Sequence, residues 1–307
     1  MTTTPRPLLL VRRPSPLLSS GQLTHLAPAS DPPKPSRSLA QWQGYCDVFR
    51  SQLGWEVIEV DAADDCPDGV FLEDAMIVFP ALDERGGGVV VLVRSGSPER
   101  RGEYESARRA TQEHLVPRGY EVFDFNVEDK SGEATLDGGD ILKILPGASS
   151  ASHATTHTGT RPPTVYVGQS TRTNALGTSL LKKCLEPRGW SVQGVPVQHH
   201  LHLKSAITAL PDGQVIGHSL PRSSSSSSSG SGSGTSQPSV GVTLPDGHEI
   251  LPIQEEHGIA VVDVSSPNGS PKVLLSADAP RTKKQLEQRG YEVVTVDIGD
   301  FEKMEGW

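Results

Sequence analysis

Several short stretches of this chain carry side chains that can do chemistry together. Leu136-Asp137-Gly138-Gly139-Asp140 sets two carboxylates around two glycines, just ahead of the apolar pair Ile141-Leu142. Paired glycines permit a sharp turn and the apolar run starts a strand, so these acids are expected at a strand mouth. Carboxylates in such a place either bind a cation or orient a catalytic base. Asp68 and Asp74 bracket a second stretch of this kind, and His202 stands in a third, Leu201-His202-Leu203-Lys204-Ser205. Arg100 and Arg172 open two predicted helices at matching places. Acids at the centre of a shared pocket suit a guanidinium, and arginines suit a planar carboxylate gripped through two N–H groups. A ligand carrying both groups is an arginine-like amino acid.

The elements that bring these residues together are legible from a repeat. Gly54-Trp-Glu-Val, Gly119-Tyr-Glu-Val, Gly189-Trp-Ser-Val and Gly290-Tyr-Glu-Val each follow a helix-like segment, at 38–53, 99–116, 173–186 and 281–288. The glycine reads as a helix stop and the aromatic-x-Val run as a strand start. Ahead of the helices the chain has room for paired strands: 70–79 with 88–94, 140–145 with 164–168, and 259–264 with 272–276. Strands at 206–210 and 214–218, joined by Pro-Asp-Gly, form a fourth pair, with a strand near 249–253 to close it. The unit is strand, strand, helix, strand, about five times, and such units in a ring predict one α/β domain over residues 1–307 with equivalent strand mouths converging on one centre. The first unit, with a strand at 8–12, is one strand short, and the repeat expects that strand from the C-terminus. Two low-complexity insertions, 147–163 and 223–236, interrupt the pattern and read as loops with nothing to bury.

Composition bounds the function. The net charge of −9 and the absence of a basic stripe argue against a nucleic-acid or anionic-membrane partner and leave a small-molecule substrate. Three cysteines without C-x-x-C spacing read as reduced thiols in the cytoplasm. No apolar run approaches the roughly 18 residues of a membrane span. Residues 1–30 hold no acid, as in a transit peptide, but their apolar run belongs to the repeat. His153 and His157 are loop histidines, and His199-His200-x-His202 lacks the partner spacing of a metal site, so no metal is expected. Gly86-Gly87-Gly88 reads as a hairpin turn rather than a phosphate cradle.

Taken in order, Pro67–Asp74, Pro98–Arg101, Ala134–Asp140, Ser170–Asn174, Val195–Val197 and Leu201–Ser205 resemble the dimethylarginine dimethylaminohydrolase (dimethylargininase) family of the guanidino-group-modifying superfamily. The resemblance covers nearly the whole chain. It implies a five-bladed α/β propeller and hydrolysis of Nω-methylated arginines to citrulline and a methylamine, without an obligatory cofactor. It implies Asp68, Glu73 and Asp74 as substrate-binding acids, Arg100 and Arg172 as a clamp on the α-carboxylate, and His202 as general acid/base with Asp137 orienting it. Leu26 matches a lid residue that contacts substrate, and Met304 a position that does so through its backbone.

The nucleophile departs from the pattern. The resemblance places a Thr-Cys pair a few residues after Trp307, and its cysteine would be the attacking group. Cys46 and Cys184 fall on predicted helices as buried thiols, and Cys66 lies in a loop where the family has no nucleophile. The expectation is therefore a truncated form, with substrate binding retained and turnover lost. Two other readings stay open: a methylarginine-binding pseudoenzyme, and a related arginine deiminase or amidinotransferase.

Overall fold

The computed structural model describes residues 6–27, 31–83, 86–145, 162–218, 240–266 and 269–306. Both expected insertions, 147–163 and 223–236, lie almost wholly outside the described residues, as do His153, His157 and Trp307. Its strands form five small sheets. In the first, β1 (Leu8–Val11) pairs in parallel with β2 (Glu56–Glu59). The second holds β3 (Met76–Pro80), β4 (Gly88–Leu92) and β5 (Tyr120–Asp124), and the third β6 (Ile141–Ile144), β7 (Thr164–Gln169) and β8 (Ser191–Pro196). The fourth holds β9 (Ile207–Ala209), β10 (Val215–His218) and β11 (Ile250–Ile253), and the fifth β12 (Val261–Asp263), β13 (Lys272–Ser276) and β14 (Glu292–Val296).

Each of the last four sheets has one plan. Its first two strands are antiparallel and its third runs parallel to the second. A parallel neighbour needs a crossover connection, and helices at Tyr104–Ala110, Ala175–Leu185 and Pro280–Glu287 supply it. In the first sheet the helix Pro35–Asp47 serves the same purpose. The repeat glycines Gly54, Gly119, Gly189 and Gly290 all have φ between +71° and +91°, so each ends its helix in the left-handed region that a Cβ disfavours.

Aromatic residues of the repeat help to join neighbouring sheets. Trp190, almost fully buried, meets Phe79 of β3 edge-on with ring centroids 5.8 Å apart. They belong to one apolar cluster with Val89, Val91, Ile141, Val165 and Val167, drawn from the second and third sheets. Among the described residues, no helix is long and apolar enough to cross a membrane.

The predicted elements differ from the observed ones in two instructive places. The strand expected over 70–79 starts only at Met76, because Leu72–Asp74 forms a one-turn 3-10 segment first. The helix expected over 99–116 is divided into a 3-10 start, an α-helical middle and a wider π-type turn at Thr111–Leu115.

Candidate active site

The site grows from one local device used four times. A one-turn 3-10 segment precedes the first strand of each three-stranded sheet: Leu72–Asp74, Gly138–Asp140, Leu203–Ser205 and Glu256–Ile259. In each, an N–H closes back on the carbonyl three residues earlier: Asp74 to Phe71 (3.1 Å), Asp140 to Asp137 (3.1 Å), Ser205 to His202 (3.2 Å) and Gly258 to Glu255 (3.0 Å). Asp137 and His202 therefore hold equivalent places on successive sheets, as do Asp74 and Asp140. The first turn packs on the second and the second on the third, which brings these side chains together.

The two glycines of the Asp-Gly-Gly-Asp turn are required by this packing. A Cβ on Gly138 would stand 2.1 Å from the Glu73 carbonyl oxygen, and one on Gly139 would stand 2.6 Å from the His202 ring. The turn thus lies against the acidic stretch on one side and the imidazole on the other.

A cavity of about 510 Å³ opens beside these turns. Its wall includes Asp68, Glu73, Asp74, Arg100, Arg172, His202 and Met304, together with Gln22 from the N-terminal segment. Asp74, Asp137 and His202 are all buried, and each offers one polar atom within 4.8 Å of the others. Asp74 accepts from the Gly139 N–H at 2.6 Å and pairs with Arg100 Nη1 at 2.5 Å. Asp137 accepts from the Gly96 N–H at 3.0 Å and pairs with Arg172 Nη1 at 3.0 Å. Asp140, fully buried, accepts from the Ser170 and Thr173 hydroxyls at 2.6 and 2.7 Å and from the Leu203 N–H at 2.9 Å. Its Oδ2 also stands 3.4 Å from His202 Nδ1, an ion-pair distance without hydrogen-bond geometry.

These neighbours set the protonation states. Burial works against the charged form of His202, but Asp74, Asp140 and Asp137 outweigh it and hold the imidazole above its ordinary pKa. Burial also works against the Asp74 carboxylate, and the Arg100 guanidinium with His202 overcomes it, holding Asp74 below the usual range. Burial, reinforced by the charge of Asp74, lifts Asp137 instead. The trio has the spacing of a cation site, yet Arg100 and Arg172 already pair with its two acids. What the arrangement supplies is a buried imidazole whose charged form is favoured by the neighbouring acids, the setting of a general acid/base beside a cavity.

The structure brings most of the expected residues to this wall and gives three of them other surroundings. Arg100 lines the cavity, but its guanidinium is taken up by Asp74, Glu103 and the carbonyls of Asp68 and Phe71. It braces Asp74 rather than forming a clamp with Arg172. The acid nearest His202 Nδ1 is Asp140, while Asp137 faces Arg172; Asp140 is the residue that sequence reasoning left without a role. Leu26 lines a small adjoining pocket with Ser205, His257, Glu302 and Glu305, not the main cavity. The lid segment reaches the cavity through Gln22 instead. Glu73, exposed, pairs with Lys204.

None of the three cysteines lines the cavity. Cys46, Cys66 and Cys184 are buried elsewhere, and burial pushes their thiols up, to about 11 for Cys46 and Cys184.

No protein-family profile matches the chain. It is 39% identical over 297 residues to the N(G),N(G)-dimethylarginine dimethylaminohydrolase of Streptomyces coelicolor, covering 97% of this chain and 92% of that protein. Its fold resembles that of the dimethylarginine dimethylaminohydrolase of Pseudomonas aeruginosa, solved as a cysteine-to-serine variant with citrulline, with a TM-score of 0.67 and 22% identity over 99% of this chain and 96% of that one. It also resembles the N-terminal domain of the cyanobacterial arginine dihydrolase ArgZ bound to substrate, with a TM-score of 0.62 and 16% identity over 97% and 94% of the two chains. The identity to the Streptomyces enzyme spans nearly the whole of both proteins, and by it this chain belongs to the dimethylarginine dimethylaminohydrolase family.

Proposed function

We propose that this chain binds Nω-methylated arginines, and that its cavity is the substrate site of a hydrolase producing citrulline and methylamine or dimethylamine. The observation that carries the reading is the buried His202 among Asp74, Asp137 and Asp140, on the same wall as Arg172. The acids suit the guanidinium end of the ligand and Arg172 its carboxylate. In the reaction, a thiolate adds to the guanidinium carbon and the C–N bond to the methylated nitrogen breaks as His202 gives its proton to the departing amine. His202 then takes a proton from water, whose oxygen attacks the same carbon and releases citrulline and the thiolate. None of the three cysteines of these 307 residues meets the cavity, so we propose that this form binds substrate without turning it over. We read the five sheets as the blades of an α/β propeller around the cavity within one domain, a reading supported by the repeated strand plan and the mutual packing of the turns.

The absence of a cavity thiol also favours a methylarginine-binding pseudoenzyme, and the likeness in fold to an arginine dihydrolase makes arginine the necessary comparison ligand. Calorimetry of the purified chain with Nω,Nω-dimethyl-L-arginine, L-arginine and L-citrulline, run beside a citrulline assay, tests these readings. The expected result is saturable binding of dimethylarginine with no citrulline formed. Steady citrulline formation would overturn the loss of turnover, tighter binding of arginine would favour the deiminase-like reading, and no binding at all would end the substrate assignment.

A further inference from the structure

The N-terminal segment crosses the cavity as a strap. Leu18, fully buried, anchors it on one side. Thr24 anchors it on the other, where its N–H and hydroxyl both donate to the Lys303 carbonyl, at 3.0 and 3.2 Å. Between these points the chain lies close against the wall: a Cβ on Gly21 would stand 2.5 Å from Asp68 Oδ1 and 2.5 Å from Met304 Cε. Gln22 is thereby held with its backbone N–H donating to Asp68 Oδ1 at 3.2 Å and its side-chain Oε1 accepting from Arg172 Nη2.

The charges around Gln22 define this end of the cavity. Asp68 has no ion pair among the described residues, so it presents an unneutralised carboxylate. Arg172 gives Nη1 to Asp137 and directs Nη2 toward Gln22. Arg100 is committed to Asp74 and Glu103. An acid and an arginine bridged by one residue suit the ammonium and carboxylate of an amino acid, but Arg172 alone offers that carboxylate only one edge. The Gln22 amide supplies what is missing: its Oε1 can stay on Arg172 while its Nε2, which makes no hydrogen bond among the described residues, has two N–H groups to donate.

We propose that Gln22 positions the amino-acid end of the substrate, its Nε2–H donating to the α-carboxylate that Arg172 grips. The inference rests on the methylarginine reading above and adds a residue to it. A neutral amide suits this place because it accepts from the arginine and donates to the carboxylate at once. A glutamate would take the arginine and repel the carboxylate.

The test is calorimetry of the full chain, as wild type, Gln22→Ala and Gln22→Glu, with L-citrulline and with the corresponding amine lacking the α-carboxylate. Gln22→Ala should weaken citrulline about tenfold, the loss of one hydrogen bond to a charged group, and leave the amine within about twofold. Gln22→Glu should weaken citrulline further. Gln22 is exposed, so the melting temperatures of both variants should match the wild type, and a matching value confirms that the fold is intact. Citrulline binding by Gln22→Ala equal to wild type, or equal losses for both ligands, would overturn the inference and leave Gln22 as a tie for the strap. Failure of the wild type to bind citrulline or dimethylarginine would instead overturn the functional reading on which it rests.

Discussion

On one side of the cavity, the turns Gly138–Asp140 and Leu203–Ser205 hold Asp140 between two hydroxyls and an N–H, with His202 beside it. On the other, the turn Glu256–Ile259 and the short helix Gly299–Glu302 bring His257 and Glu302 together, with His200 and His218 nearby. The backbone device is the same, and the buried polar atoms differ in degree: on the first side His202 Nδ1 and Ser205 Oγ lack a hydrogen bond, and on the second more atoms do. Both oxygens of Glu302 and both ring nitrogens of His200 are buried without a hydrogen bond, although His257 Nδ1 lies 3.2 Å from Glu302. Near these groups Glu305 adopts φ +50°, a left-handed conformation unusual for a residue with a Cβ.

The histidines register the contrast. Burial lowers the pKa of His200 and of His218, and the nearby glutamates do not reverse it. At His202 burial acts in the same direction, and the carboxylates of Asp74, Asp140 and Asp137 overcome it. Carboxylates close to the ring, more than burial, decide which way an imidazole's pKa moves here, since Glu302 raises that of His257 as the three aspartates raise that of His202. The satisfied carboxylate of Asp140 is held in one geometry, whereas groups lacking partners can be replaced or rearranged at small cost.

The largest expected effect is on stability. Asp140→Ala removes an acceptor from three buried donors and should cost about 3–5 kcal/mol, read from urea unfolding. A loss below about 1 kcal/mol would show that the first side is no better organised than the second. Next in size is ligand binding: Asp74→Asn removes the charge paired with Arg100 and facing the cavity, and should weaken dimethylarginine at least about tenfold by calorimetry.

The pH dependence sharpens the comparison because His202 and His200 have opposite signs, while His257, raised by Glu302, shares the sign of His202. His202, raised on folding, contributes stability in full below its unfolded pKa of about 6.5, and this is lost as pH rises through the higher folded value. His200, lowered on folding, contributes above about pH 6.5 and loses its share as pH falls through its folded value. His202→Gln should therefore flatten the alkaline fall and His200→Asn the acid fall, each measured by unfolding across pH; like-signed changes would break the contrast. The smallest effect belongs to Glu302→Gln, which removes a buried charge lacking hydrogen bonds and should change stability by no more than about 1 kcal/mol, in either direction. A loss as large as that of Asp140→Ala would mean that Glu302 belongs to a network after all.

The repeat was legible because it rests on local rules. A glycine that must take positive φ, an aromatic that packs across to a neighbour and a β-branched run behave alike wherever they occur, as Gly189, Trp190 and Val192 show. The turn at Leu72–Asp74 was less legible, because Val70, Phe71 and Leu72 look like strand residues until the adjacent sheet bends them into a mouth. Arg100 and Arg172 look equivalent in the chain. A signal separated them, since Glu103 lies three residues after Arg100 and claims it, whereas Ala175 lies three after Arg172. Gln22 had no such signal; it is one polar residue in a loop, and its partners lie 46 and 150 residues away.

The sequence by itself determined the repeated unit, the family and most of the charged residues that line the cavity, because residue type, spacing and turn chemistry act over a few positions at a time. Only the tertiary structure decided which acid stands beside the histidine, which arginine remains available to a ligand and which lid residue reaches the cavity. Those choices depend on distances between sheets. Asp140 rather than Asp137 stands beside Nδ1 because of how the turn Gly138–Asp140 packs against the turn Leu203–Ser205.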